Sequence, residues 1–272
     1  MAQTITNGAN TSPVRSLLFA LVAVLHLSFG GQAAVRTFSD TDIELIVSLL
    51  SRRCCPAGVM QLMQLGVCGQ PVVAGLALQL ACTPLGNVAS PQLQAALAVH
   101  AACGLGTCTS ARTVPMAVHG LTLAACTPAV LRPVMLRKKS GARLSGPTMP
   151  RPKVRLAGAG ATALGATVIL MPSVAVGAAL HCAGQTLELP SSAMRAAGAT
   201  FLCLGLSTSV VCGQCRQDRQ LRYMVASVLL SSFSVGLSAL KGAHAFALRR
   251  WARAALVTVC GSCAASALGC RR

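Results

Sequence analysis

RPVMLRKKSGARLSGPTMPRPKVR, residues 132–155, carries eight positive side chains and no acid. Pro133, Pro147, Pro150 and Pro152, with Gly141 and Gly146, keep it from forming one continuous helix. On both sides of it the chain is apolar and nearly free of charge. A basic, proline-rich stretch between long apolar runs reads as a loop joining two groups of membrane-spanning helices. Such loops stay in the cytosol, so residues 132–155 are expected there. The fold class predicted from this pattern is all-α: a multi-pass transmembrane helical bundle of about seven spans behind an N-terminal signal-like segment.

Composition supports that class. Hydrophobic residues make up 54% of the 272 and charged residues 10%, against about 25% charged in an ordinary soluble domain. Too little charge is present to cover a soluble protein of this size. The apolar residues are mainly Ala, Leu, Val and Gly, which suit helices packing closely in lipid. The balance of 23 basic residues against 5 acids gives a net charge of +18, a pattern that nucleic-acid binders share. Those proteins set stacking aromatics among their basic residues. Here Trp251 and Tyr223 are the only Trp and Tyr, and the positive charges lie at the edges of apolar runs. The expected partners are membrane lipids and other membrane proteins, not nucleic acid.

Moving from the loop toward the N-terminus, residues 113–131 form an uncharged stretch between Arg112 and Arg132 whose length suits one span. From Cys54 to Ala111 no residue is charged. That run is too long for one span, and Pro84, Gly86, Asn87 and Pro91 divide it into two, about 57–83 and 90–109. Gln61, Gln64, Gln70 and Gln79 lie in the first, and glutamines in lipid need partners on other helices or in a wet cavity. Before it, Ser39 to Arg53 (within a segment 34–56) reads as an amphipathic helix at the lumenal interface. Ser39 caps it, Asp40, Asp42 and Glu44 face its dipole at the start, and Arg52 and Arg53 do so at the end. Residues 1–33 fit a secretory signal cleaved after Ala33, and Ser16–Val35 as an uncleaved first span is the alternative. The Asn10-Thr11-Ser12 sequon is expected to be unused.

Toward the C-terminus, residues 156–272 hold four predicted spans. Leu156–Leu180 carries Ala157, Ala161 and Gly165, and Gly158, Thr162 and Ala166, in rows of small residues that let helix backbones approach, and Pro172 is expected to kink it. Ala196–Cys215, Tyr223–Leu240 and Ala254–Cys270 each lie between basic residues and match a bilayer about 30 Å thick. Alternation from the cytosolic loop puts 216–222 inside, where its arginines fit. It puts 241–253 outside, where Lys241, Arg249, Arg250 and Arg253 break the rule unless Ala243–Leu248 lies in the interface.

Signals for chemistry are sparse. Cys212-Gly213-Gln214-Cys215 and Cys260-Gly261-Ser262-Cys263 have the spacing of a redox pair or half a zinc site. Both sit in or against apolar runs, where helix packing is the expected role, so no metal or cofactor is assigned. Cys54, Cys55, Cys215 and Cys270 adjoin or closely follow arginines at membrane edges and are candidate lipidation positions. Arg137, Lys138, Lys139, Arg143, Arg151, Lys153 and Arg155 are candidate contacts for anionic lipid. Ser140, after Arg137-Lys138-Lys139, is a candidate phosphorylation site whose charge would loosen them. His100 and His119 lie in apolar runs and are expected as packed, hydrogen-bonded side chains. No predicted span contains Asp or Glu, which argues against a proton-driven carrier.

No catalytic residue is assigned. The sequence points to a non-enzymatic integral membrane protein of the secretory pathway or plasma membrane that organises or partners other membrane components. A channel or facilitator for small solutes or anions is the second reading. A translated frame under no selection for folding also fits so skewed a composition.

Overall fold

The computed structural model describes residues 13–38, 56–82, 90–106, 113–130, 152–181, 188–213, 218–241 and 245–269. The amphipathic helix expected over 39–53 and residues 132–151 of the basic loop lie outside them. In chain order the helices are α1 (Pro13–Phe38), α2 (Pro56–Cys68), α3 (Gln70–Cys82), α4 (Ser90–Leu105), α5 (Thr113–Val130), α6 (Pro152–Leu170), α7 (Pro172–Ala179), α8 (Glu188–Gly213), α9 (Asp218–Lys241) and α10 (Arg250–Gly269), with a 3₁₀ turn at Ala245–Ala247. Among the described residues no strand forms, and the extended pairing is an isolated bridge between Leu180 and Leu248. The expected all-α class holds.

Prolines and glycines set the breaks. The stretch read as one span over 57–83 holds as one candidate span, Ala57–Cys82, with a turn at Gly69 between its two helices. Pro71 has no N–H to give to the carbonyl four residues back, so the ladder is interrupted there. Gly69 N donates to Leu65 O at 3.2 Å and Val72 N to Gly69 O at 3.1 Å, which closes the turn. At Gly69 a Cβ would collide with the Thr200 side chain of α8, so the turn also permits that helix to approach. Pro172 acts more strongly than the expected kink. It starts α7 after Met171, and the axes of 156–170 and 172–179 differ by 107°. The free end of α7 is tied down by an exchange of backbone bonds: His181 N to Ala247 O at 3.0 Å and Arg249 N to Ala179 O at 2.8 Å. Arg249 adds Nε to Leu180 O at 3.3 Å. The 241–253 connection, with its unexpected positive charge, is therefore pinned to α7 by one of its own arginines.

α8 is the hub, running against α2, α3, α4, α6, α7, α9 and α10. It starts at Glu188, so Arg195, read as a span boundary, is an exposed residue inside a helix. Helix ends are fixed by backbone hydrogen bonding, and a long basic side chain on the surface does not stop the ladder. The α6–α8 contact is backbone against backbone. At Gly165 a Cβ would meet Leu202 N and Gly198 O, and at Gly205 it would meet Thr162 and Gly158 O. The small-residue row expected on 157–166 is the seam of this pair, with Ala161 fully buried in it.

The core is mainly Ala, Leu and Val, with polar side chains buried among them, and large apolar side chains also cover much of the outer surface. Gln61, Gln64, Gln70, Gln79 and Gln94 are buried, as are His26, His100, His119, Thr122, Ser207, Thr208, Ser231 and Ser232. Gln61 Nε2 donates to Ser238 O at 3.1 Å and so links α2 to α9. The outer surface carries Val14, Leu17, Leu21, Val24 and Leu27 along one stripe of α1, with Leu17 71% exposed. It also carries Leu170, Met171 and Val174 at the α6–α7 bend, and Leu230, Phe233, Leu237 and Leu240 on α9. Water-soluble monomers rarely expose contiguous apolar faces on this scale, whereas lipid solvates them.

Three helical stretches are long and apolar enough to cross a membrane: 57–82, 222–241 and 250–269. Counting the bent α6–α7 pair as one span makes four. α4, with 16 residues, rises about 24 Å at 1.5 Å per residue, short of a hydrocarbon core of about 30 Å. The seven spans of the sequence reading thus reduce, by length and composition among the described residues, to three or four.

Candidate functional site

Three imidazoles far apart in sequence meet in the bundle. α1 brings His26, α4 brings His100 and α5 brings His119, all at most 5% exposed. Their ring centres are 5.8 Å apart for His26–His100, 5.7 Å for His26–His119 and 5.7 Å for His100–His119. The arrangement is a nearly equilateral triangle, with the ring planes inclined to one another by about 60°.

Each ring is held by its own helix environment. The His119 ring lies against Gly104 of α4, where any Cβ would press into it. This is one of several positions where a glycine is required by a close approach. His26 Nδ1 is 2.7 Å from Gln70 Oε1. An amide oxygen only accepts, so the proton of that bond sits on Nδ1. Gln70 Nε2 donates to Gly66 O at 3.2 Å, which fixes the amide the right way round. His26 Nε2 is 3.0 Å from Thr122 Oγ1. The Thr122 hydroxyl has one proton and two acceptors in reach, Nε2 and Val118 O at 2.7 Å. Given to Nε2, it leaves His26 neutral. Given to Val118 O, it would require an imidazolium. None of α1, α3, α4 or α5 contains an acid, and a buried cation with no counter-charge is costly. The neutral ring, with its lone pair on Nε2, is the consistent state.

His100 differs from the packed, hydrogen-bonded side chain that the sequence suggested. It is 3% exposed, and neither ring nitrogen has a hydrogen-bond partner. Gln61 Oε1, Gln64 Oε1 and the hydroxyls of Ser207, Ser231 and Ser232 are also buried without partners.

The positions singled out in the sequence fall elsewhere. Lys153 and Arg155 lie in the first turn of α6. Arg137, Lys138, Lys139, Ser140, Arg143 and Arg151 are outside the described residues, as are Cys54, Cys55, Cys215 and Cys270. Cys260 and Cys263 are buried free thiols, and Cys263 lies 4.0 Å from Ala157 O of α6, which fits the expected packing role. Among the described residues no group of three or more His, Cys, Asp or Glu side chains stands ready to hold a metal ion. No family model matches the chain, and neither a curated protein nor a solved structure is similar to it.

Proposed function

We propose that the chain is a non-enzymatic, multi-pass integral membrane protein that partners or organises other membrane components. The observation that supports this reading is the set of large apolar side chains exposed on the outer surface, Leu17, Val24, Leu170, Phe233 and Leu240 among them, over a core that also buries glutamine, histidine and hydroxyl side chains. Tyr223 beside Arg222 and Trp251 beside Arg250, all exposed near helix starts, suit the interface between lipid and water. In the finer form of the proposal, seven units enter the membrane, α2–α3, α4, α5, α6–α7, α8, α9 and α10, with α4 too short to cross it unaided. Residues 132–155 face the cytosol, and the membrane is that of the secretory pathway or the cell surface.

The partner reading rests on the outward ridge of α9, where Phe233 is 71% exposed with Leu237 and Leu240 on following turns. A photoreactive side chain at position 233, activated in intact membranes, is expected to give adducts with other polypeptides. Adducts with lipid alone would remove the partner role.

The facilitator reading gains from the unpartnered amide oxygens of Gln61 and Gln64, which offer polar contacts inside the bundle. Solute or anion flux through liposomes holding the purified chain, abolished by Gln61→Leu with Gln64→Leu, would favour it over the partner role.

A further inference from the structure

We propose that Arg249, Arg250 and Arg253 bind the headgroup phosphate of an anionic phospholipid at one edge of the bundle. Such a site presupposes the integral membrane protein proposed above and adds a specific lipid contact to it. Lys241, Arg249, Arg250 and Arg253 fall in one connection that contains no acid. Alternation from the basic loop sets that connection on the side where positive charge is not expected. Nor do the elements around it, α7, the 3₁₀ turn and α10, contain an acid. Headgroup phosphate is an anion present at a membrane edge, and the planar fork of a guanidinium matches it in a bidentate way.

The arginines are held in a fixed frame. Arg249 N donates to Ala179 O at 2.8 Å and Arg249 Nε donates to Leu180 O at 3.3 Å. Backbone and side chain are thus both fastened to the end of α7. A guanidinium has five N–H donors, and with Nε committed to Leu180 the Arg249 side chain remains exposed. Arg253 N donates to Arg249 O at 3.1 Å, which sets the two residues on one face of the start of α10. Arg253 is partly buried, and its Nε is shut off from solvent with no hydrogen-bond partner. A cation in that position gains from an anion at its open edge.

The surroundings are those of lipid. α7 turns 107° from the axis of residues 156–170, so where α6 crosses the bilayer α7 runs near its surface. Leu170, Met171 and Val174 are exposed at the bend. Phe246 and Trp251, before and after the first two arginines, are exposed as well, and tryptophan favours headgroup level.

Trp251, the only tryptophan, reports on the site directly. The full chain is reconstituted in vesicles of equal phosphatidylcholine and phosphatidylglycerol, with bromine on the acyl chains of one lipid or of the other. Brominated phosphatidylglycerol is expected to quench Trp251 more strongly, from a preference of about fivefold for each arginine engaged, the equivalent of about 1 kcal/mol. Arg253→Gln, which leaves the bond from Arg249 to Leu180 in place, is expected to reduce that preference about fivefold. Arg249→Gln with Arg250→Gln and Arg253→Gln is expected to abolish it. Lys153→Gln with Arg155→Gln, which removes charge from the start of α6, is expected to leave it unchanged. So is inorganic phosphate, compared with chloride at equal ionic strength. Circular dichroism establishes that each variant is folded, and flotation that it has entered the vesicles. Equal quenching by the two lipids in floated wild-type chain overturns the proposal. So does an unchanged preference in folded Arg253→Gln, its loss in the Lys153→Gln, Arg155→Gln variant, or displacement by inorganic phosphate, which would assign the site to a free anion. Failure of the wild-type chain to float overturns the membrane reading with it.

Discussion

Gly205→Leu is expected to destabilise the bundle by about 3 kcal/mol, at or beyond the upper end of ordinary overpacking. A side chain at 205 enters the space held by Thr162 and by Gly158 O. The obstacle is largely backbone on a helix that is itself packed, so no rotamer change relieves it and α6 and α8 must separate. Gly160→Leu is the control. A Cβ at Gly160 meets nothing within 4 Å, so this change is expected to be neutral or to stabilise the helix by about 0.5–1 kcal/mol through propensity. Reversible unfolding in mixed detergent, with helicity as the signal, measures both. Equal effects of the two substitutions would mean that α6 and α8 do not meet along this seam.

Phe19→Ala carries the second large effect, about 3–5 kcal/mol for loss of a fully buried aromatic side chain. Phe19 is 1% exposed, in the core with Val22 and Ala23, and Arg15 places its guanidinium 5.5 Å from the ring centre. Leu21 on the outward stripe is 48% exposed, and Leu21→Ala is expected to cost under about 1 kcal/mol because neighbouring lipid fills the space. The pair of variants also bears on the N-terminal signal. α1 runs unbroken through Ala33 to Phe38 and delivers His26 to the imidazole triangle. If cleavage after Ala33 removed it, neither substitution would alter the stability of the mature chain.

Much of the bundle was legible from charge and proline positions, because these act locally. An absence of charge over 54–111 marks a stretch that only lipid or a core accepts, and Pro172 breaks the helix wherever its neighbours lie. The row of small residues from Ala157 to Gly165 announced a close helix contact, although not that Gly198 and Gly205 of α8 would supply the other side. The span count was less legible, since charge marks where a helix meets water and not where its backbone ladder ends. Arg195 inside α8 shows the difference. The histidine triangle could not be read at all. His26, His100 and His119 have no common spacing, and their meeting depends on how α1, α4 and α5 pack. The glutamines came closest to a signal: Gln70 needed a partner on another helix, and that partner proved to be His26.

The frame-without-selection reading and the bundle described above make opposite demands on the chain in a cell. A bundle with complementary seams and a packed core accumulates as a stable species that detergent extracts. An unselected chain is degraded or aggregates.

The central claim is that lipid is the solvent of the outward apolar faces on α1, α6, α7 and α9. Alkaline carbonate extraction of membranes from cells producing the full chain tests it most directly, since it strips peripheral proteins and leaves integral ones. The expected result is recovery in the membrane pellet, with release only by detergent. Recovery in the carbonate supernatant would contradict the account.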